Sequence, residues 1–327
     1  MKNTLIDNYG RRIRYLRLSV TDRCNMRCRY CMPQGGIEKL EREEILSYEQ
    51  LHQLAQAAVE LGIEKIRITG GEPLVRKGII PFLAKLAKLS GLKTLVLTTN
   101  GLQLAEMAAE LKHAGVQRLN ISLDSLQPEM FAKITRCDGL TRVLEGIAAA
   151  EKVGLPIKIN MVVMRGVNDS ELTDFAAMTL EKNCSVRFIE YMPAIKEENW
   201  QSLFMPGNEI LAKIADHYTY APVISGKLSG PAKEYKISGA QGTIGAITAV
   251  SGHFCADCNR IRITAAGKVR SCLFADQEHD LAAVLTRGNP ADIQMVLRKL
   301  VGDKPAMHEM NEQVVQHSAF TMARIGG

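Results

Sequence analysis

Short apolar runs alternate with amphipathic stretches over roughly the first two-thirds of the 327-residue chain. Candidate strands lie at 15–20, 65–69, 93–98, 118–123, 157–163 and 186–189, with helical stretches between them at 48–61, 80–89, 102–113, 141–153 and 170–182. Runs rich in β-branched residues, separated by helices, predict right-handed βαβ units on a parallel sheet. They fit an open (βα)6 partial barrel or a doubly wound sheet. After about residue 193 the alternation fades into a stretch punctuated by Pro206-Gly207, Ser225-Gly226 and Ser229-Gly230-Pro231, which reads as boundary and connecting loops. A compact C-terminal part follows, with short strands at 261–264 and 268–270 and helices at 280–285 and 291–300. The expected architecture is α/β: an incomplete (βα)6 TIM-like barrel over 1–220 and a smaller C-terminal α+β domain over 221–327.

The motifs decide for the barrel, because ligands in such folds gather at the C-terminal ends of strands. Cys24, Cys28 and Cys31 follow the first strand and Gly70-Gly71-Glu72-Pro73 the second. Thr98-Thr99-Asn100-Gly101 follows the third, and Ser122 with Asp124 ends the fourth. Lys158 and Asn160 lie on the fifth, and Glu190, Tyr191 and Met192 end the sixth. Taken singly these are turns, helix caps or packing residues. Together they mark one rim.

Composition narrows the class. Hydrophobic residues make up 46% of the chain, and no apolar run approaches the roughly 20 residues that cross a bilayer. Residues 1–17 are too polar for a secretory signal, so a cytoplasmic, reducing setting with no membrane association is expected. The net charge of +6 says little, but its distribution says more. Residues 1–30 hold eight basic side chains against Asp7 and Asp22, and Arg260, Arg262, Lys268 and Arg270 crowd the later cysteines. An anionic ligand would suit both. Aromatics are 5% of the chain and do not interleave with these cations, so a nucleic-acid groove is not expected.

Six of the eight cysteines form two trios, Cys24, Cys28, Cys31 and Cys255, Cys258, Cys272. Three thiolates fall one short of a closed tetrahedral zinc site. Iron–sulfur clusters use closely spaced cysteines on a loop, and three of them leave one iron open. Clusters are therefore favoured over zinc, most clearly at the first trio, and a disulfide framework fits poorly. Of the remaining two, Cys184 reads as a small buried hydrophobe and Cys137 as a loop residue; Trp200 yields no reading.

The first trio, spaced Cys-x-x-x-Cys-x-x-Cys with Tyr30 before its last member, resembles the radical S-adenosylmethionine (SAM) superfamily. The second trio sits in Phe254-Cys255-Ala256-Asp257-Cys258-Asn259-Arg260-Ile261-Arg262-Ile263-Thr264, followed by Cys272-Leu273-Phe274. With Arg14-Tyr15-Leu16-Arg17-Leu18-Ser19-Val20-Thr21-Asp22, Arg67 to Leu74, Arg187 to Met192 and the terminal Ile325-Gly326-Gly327, it is similar to the GTP 3′,8-cyclase family across the whole chain.

That resemblance implies two 4Fe-4S clusters, one on each trio. SAM would bind at the first, touching Tyr30, Gly71, Ser122 and Met192, with the glycine pair letting backbone approach its methionine part. GTP would meet the second cluster's open iron through its purine and bind at Arg17, Arg67, Thr98, Lys158, Arg260, Ile261 and Arg262. Arg17, Arg260, Arg262, Gly326 and Gly327 would be needed for turnover, the glycine tail entering the active site. The implied reaction converts GTP to (8S)-3′,8-cyclo-7,8-dihydroguanosine 5′-triphosphate, the first step of molybdenum cofactor (molybdopterin) biosynthesis. A 5′-deoxyadenosyl radical takes the ribose 3′-hydrogen, and the carbon radical attacks C8. His52, His113 and His253 are then surface or packing residues. The implied partners are a second copy of the chain in a homodimer, a reductant such as flavodoxin or ferredoxin, and cyclic pyranopterin monophosphate synthase, which receives the product. Competing readings are a peptide-modifying radical SAM enzyme with an auxiliary cluster and a zinc-stabilised nucleotide- or RNA-binding protein.

Overall fold

The computed structural model describes residues 4–192, 199–224, 226, 230–274, 278–310 and 322–325. Six βα units run β1 (Tyr15–Ser19), α1 (Tyr48–Glu60), β2 (Lys65–Thr69), α2 (Ile79–Ala87), β3 (Thr94–Thr99), α3 (Leu104–His113), β4 (Arg118–Ser122), α4 (Pro128–Thr135), α5 (Leu140–Lys152), β5 (Ile157–Val163), α6 (Leu172–Glu181), β6 (Ser185–Glu190) and α7 (Gly207–Ala215). The C-terminal part adds β7 (Tyr220–Val223), β8 (Lys233–Ile237), β9 (Thr243–Ile247), β10 (Arg260–Ile263), β11 (Lys268–Arg270), β12 (His279–Asp280), α8 (Ala282–Arg287), α9 (Pro290–Gly302) and α10 (Met322–Ile325).

β1 to β6 pair in chain order and in parallel, giving the incomplete (βα)6 barrel. β1 and β6 do not close on each other. The C-terminal strands extend both free edges, β10 pairing in parallel with β1 and β9 with β6, so that one twelve-stranded sheet runs β12-β11-β10-β1-β2-β3-β4-β5-β6-β9-β8-β7. The outer strands β11, β12, β8 and β7 are antiparallel.

Period-two alternation gives this sheet two unlike faces. Leu16, Leu18, Ile66, Ile68, Leu95, Leu97, Leu119 and Ile121 are all buried in the main core under the helices. Each such side chain contributes about 1.5–3 kcal/mol when removed from water. The intervening positions, among them Arg17, Arg67, Thr98, Ser122, Asn160 and Arg187, turn to the barrel interior and line a cavity. Helix starts are fixed locally. At α1 the Ser47 hydroxyl accepts from Gln50 N at 3.2 Å while Ser47 N donates to Gln50 Oε1 at 2.8 Å, a capping box.

Two expectations change. The stretch read as loops after residue 193 contains α7 and the β7–β8 hairpin; at the sheet edge β7 is a short, mostly exposed run broken by Pro222 and β8 is largely polar, so neither carries a buried-strand pattern. Trp200, which yielded no reading, is fully buried in a second apolar cluster with Tyr191, Phe204 and Met164.

Candidate active site at the barrel mouth

The first cysteine trio lies on the loop after β1, and the loop after β2 holds it. Gly71 N donates to Thr21 O at 2.7 Å and Glu72 N to Arg23 O at 2.8 Å. A Cβ on Gly70 would come 2.8 Å from Thr21 O, and one on Gly71 2.4 Å from Arg23 O. The close approach these glycines permit is thus to the backbone immediately before Cys24. The Glu72 carboxylate accepts from Leu74 N at 3.0 Å, the Thr99 hydroxyl at 2.8 Å and Asn100 N at 2.7 Å. Asn100 in turn donates through Nδ2 to Asn25 Oδ1 at 2.7 Å and to Cys24 Sγ at 3.8 Å. On the opposite side the Tyr30 hydroxyl donates to Asp124 Oδ2 at 2.8 Å, whose other oxygen accepts from Val162 N at 2.8 Å. Burial pushes the Cys24 thiol up to about 11 and raises Cys28 well above the usual range, so a metal at this trio must displace protons.

Below the loop the barrel interior is cationic. Arg17, Arg67, Arg187, Arg260 and Arg262 line the same cavity as Cys24, Cys28 and Cys31. Among the described residues, the Nε atoms of Arg17, Arg67 and Arg187, the Thr98 hydroxyl and the Tyr15 hydroxyl are buried with no hydrogen-bond partner. Burial, followed by neighbouring cations, lowers the proton affinity of Arg17 and Arg262. Lys65 falls to about 6 through burial and the charges of Arg67, Arg118, Arg187 and Lys158. Glu234 offsets part of this charge, accepting from Lys158 Nζ at 2.8 Å and Arg187 Nη2 at 2.7 Å. Buried donors without acceptors among like charges fit a polyanionic ligand.

The second trio borders this interior. Phe254 and Leu273, which flank it, line the cavity, while Cys258 lines an adjoining hollow with Asn259, Arg260 and Glu234. Two buried cations brace its loops. Arg11 Nη1 donates to Cys255 O and Ala306 O, each at 2.8 Å, with Asp7 on its Nε at 2.6 Å. Lys304 Nζ donates to Arg260 O at 3.2 Å and to Ser271 O. Burial works to raise the Cys258 thiol, but Arg260 and Lys304 outweigh it and bring it down to about 6.

The residues expected at the site therefore distribute as follows. Arg17, Tyr30, Arg67, Gly71, Thr98, Ser122, Met192, Arg260 and Arg262 line one cavity. Lys158 shares the inward face of β5 with Asn160 and Val162 but is held by Glu234 and does not reach the lining. The Ile261 side chain faces the other way, fully buried in the helix-side core, so only its backbone can serve a ligand. Gly326 and Gly327 lie outside the described residues; Met322 of α10 lines the cavity and Ile325 packs with Leu273 and Phe274. The sequence places Asn160 on the rim without a role, and Tyr15 and Arg187, which stand only within matching runs, are not assigned to the site. Their signal is parity, since each falls in phase with inward residues of its strand or of the neighbouring one.

Among the described residues, neither trio brings its sulfurs within 4.8 Å of one another, whereas His253, Cys255 and His308 do place their donor atoms within that distance.

Residues 18–179 match the Radical SAM superfamily and residues 184–310 match Molybdenum Cofactor Synthesis C. The chain is 61% identical over 324 residues to GTP 3′,8-cyclase of Geobacter sulfurreducens, covering 99% of both. It is 48% identical over 329 residues to that of Peptoclostridium acidaminophilum, covering 100% of this chain and 99% of the relative. The chain belongs to the GTP 3′,8-cyclase family. Membership makes it a radical SAM enzyme, a class that works with a 4Fe-4S cluster and SAM. The crystal structure of Streptococcus suis SuiB bound to S-adenosylmethionine shares the fold, with a TM-score of 0.62 at 14% identity over 89% of this chain and 69% of that one. No helix among the described residues is long and apolar enough to cross a membrane.

Proposed function

We propose that the chain cyclises GTP to (8S)-3′,8-cyclo-7,8-dihydroguanosine 5′-triphosphate, opening molybdenum cofactor biosynthesis. One observation carries this reading: three thiols and the unsatisfied Nε donors of Arg17, Arg67 and Arg187 line a single cavity. A triphosphate brings about four negative charges, and guanidinium forks grip its oxygens bidentately. Cys24, Cys28 and Cys31 hold the first cluster, and Tyr30, Gly71, Ser122 and Met192 contact SAM beside it. With both held there, these residues would place SAM where its reductive cleavage would supply the radical chemistry that takes the ribose 3′-hydrogen.

The chain's own residues orient and shield. Arg17, Arg67, Arg260 and Arg262 fix the triphosphate and so the ribose, while Thr98 offers a hydroxyl to the nucleotide. Met26, Met32, Val162, Ile189, Ile247 and Leu273 give the cavity an apolar wall that excludes water from a reactive carbon centre. Cys255, Cys258 and Cys272 would hold a second 4Fe-4S cluster, and three ligands would leave one iron available to the purine. The remaining roles are a homodimer in the cytoplasm, reduction by flavodoxin or ferredoxin, and delivery of product to cyclic pyranopterin monophosphate synthase.

The test is anaerobic incubation of the cluster-loaded chain with SAM, a reductant and each nucleoside triphosphate in turn. Release of 5′-deoxyadenosine with GTP alone, matched by GTP consumption, is the expected result. Equal release with every nucleotide, or none with GTP, rejects the assignment.

A further inference from the structure

His308 is 6% exposed, and among the described residues its ring nitrogens have no well-formed hydrogen bond, the Met310 backbone offering only a weak one. A buried ring nitrogen left without a good hydrogen bond costs up to about 1–3 kcal/mol relative to a well-partnered one. Its surroundings are chosen rather than accidental. The ring centroid lies 4.5 Å from that of Phe274 and 4.5 Å from that of His253. The donor atoms of His253, Cys255 and His308 all fall within 4.8 Å of one another, with Cys255 and His308 buried and His253 exposed.

We propose that His253, Cys255 and His308 form a site for one divalent cation of borderline softness, Zn²⁺ or Fe²⁺, whose occupancy takes Cys255 away from cluster assembly. Two imidazoles and a thiolate are the donor set such ions prefer over Ca²⁺ or Mg²⁺. Tetrahedral coordination at about 2.0–2.3 Å puts donors roughly 3.3–3.8 Å apart, so the site closes by a shift of about 1 Å. The exposed His253 can supply that shift by side-chain rotation, and its exposure leaves a fourth position open to water. Binding releases the Cys255 thiol proton to solvent, with no change of oxidation state. The sequence hides the site because His308 is remote from the other two donors in the chain.

Cobalt(II) is the probe, added anaerobically to the full chain before cluster assembly and in a background where Cys24, Cys28 and Cys31 are serine. One Co²⁺ per chain with a thiolate-to-metal charge-transfer band is expected. Cys258→Ser and Cys272→Ser leave the band in place, and Cys255→Ser removes it. Losing one of three ligands, in His308→Ala or His253→Ala, weakens binding roughly a hundredfold or more. The His253 variant is the safeguard, since an exposed ring can be removed without risk to the fold. A band that needs Cys258 and Cys272 but neither histidine overturns the proposal, as does the absence of any thiolate band. A second arm rests on the two-cluster reading: one equivalent of Zn²⁺ before assembly limits iron to about four per chain where about eight load without it. Loading of about four in both cases rejects the second cluster and leaves the cobalt result standing; about eight in both rejects the competition.

Discussion

Replacing Arg67 with methionine should stabilise the nucleotide-free chain while weakening its hold on GTP. Arg67 is 8% exposed, and its Nε has no partner. Burial and then Arg187, Arg118 and Arg260 disfavour its charge, against a favourable contact with Tyr15, over whose ring its guanidinium lies at 5.4 Å. Removing a buried unsatisfied donor recovers about 1–3 kcal/mol, and the lost cation–π contact gives back about 0.5–1 kcal/mol. The net gain lies between about 0 and 2.5 kcal/mol, centred on about 1 kcal/mol, which at about 2–4 °C per kcal/mol raises the melting temperature by roughly 2–4 °C. Two charge-assisted bonds to phosphate, each about 1.5–3 kcal/mol, are lost from the complex, so GTP should bind roughly a hundredfold more weakly or worse. Calorimetric melting without nucleotide and titration calorimetry with GTP read the two effects separately. A variant that melts lower than the parent and binds GTP as tightly refutes the view that this arginine is held strained for a polyanion.

Three further outcomes follow from the same contacts. Lys304→Met removes the cation that ties Arg260 O and Ser271 O, and should lower iron from about eight to about four per chain, with Lys304→Arg restoring it in part; full iron in the methionine variant contradicts the bracing role. Gly71→Ala drives a Cβ to within 2.4 Å of Arg23 O and should cost the first cluster's iron while sparing the second; normal SAM cleavage in this variant would show that the loop can yield. Burial lifts Glu72 to about 7, above its unfolded value, so its ionisation in the fold is unfavourable and stability falls as pH rises from about 4.5 through 7. Glu72→Gln, less stable overall because it faces three donors, should lack that part of the slope in pH-dependent urea melts; parallel parent and variant profiles contradict it.

The barrel strands were legible because each is a short apolar run bounded by turns, and helices of clear amphipathic period separate them. The cysteine spacings were legible for a different reason: three ligands within eight residues leave few geometries open. What escaped depends on non-local pairing. Ile261 opens a predicted strand, but nothing local says that this strand joins β1, and hence that Ile261 points at the helices while Arg260 and Arg262 point inward. Arg187 and Glu234 are ordinary charged residues in sequence. Only the pairing of β6 with β9 and of β9 with β8 sets them 2.7 Å apart. Lys158 was assigned to the ligand by resemblance alone, and Glu234, with which it pairs, comes from a largely exposed hairpin that periodicity does not reveal.

That pairing also explains why the two trios can serve one chemistry. Had the C-terminal part formed a sheet of its own, the arginines beside the second trio would be tied to the barrel only by side-chain packing, which tolerates shifts of an ångström or more. Instead Tyr15 is in register with Arg260 and Arg17 with Arg262, across adjacent strands about 4.8 Å apart. Arg17 is likewise in register with Arg67 on the other side, so three guanidinium groups stand in one row on three hydrogen-bonded strands. A row fixed by backbone spacing presents its charges preorganised, and a bound phosphate gains the full attraction without first ordering the side chains that supply it. The cationic row is stable only because the outward residues of the same strands, Leu16, Ile66 and Ile261 among them, are completely buried under the helices and anchor the sheet that carries it.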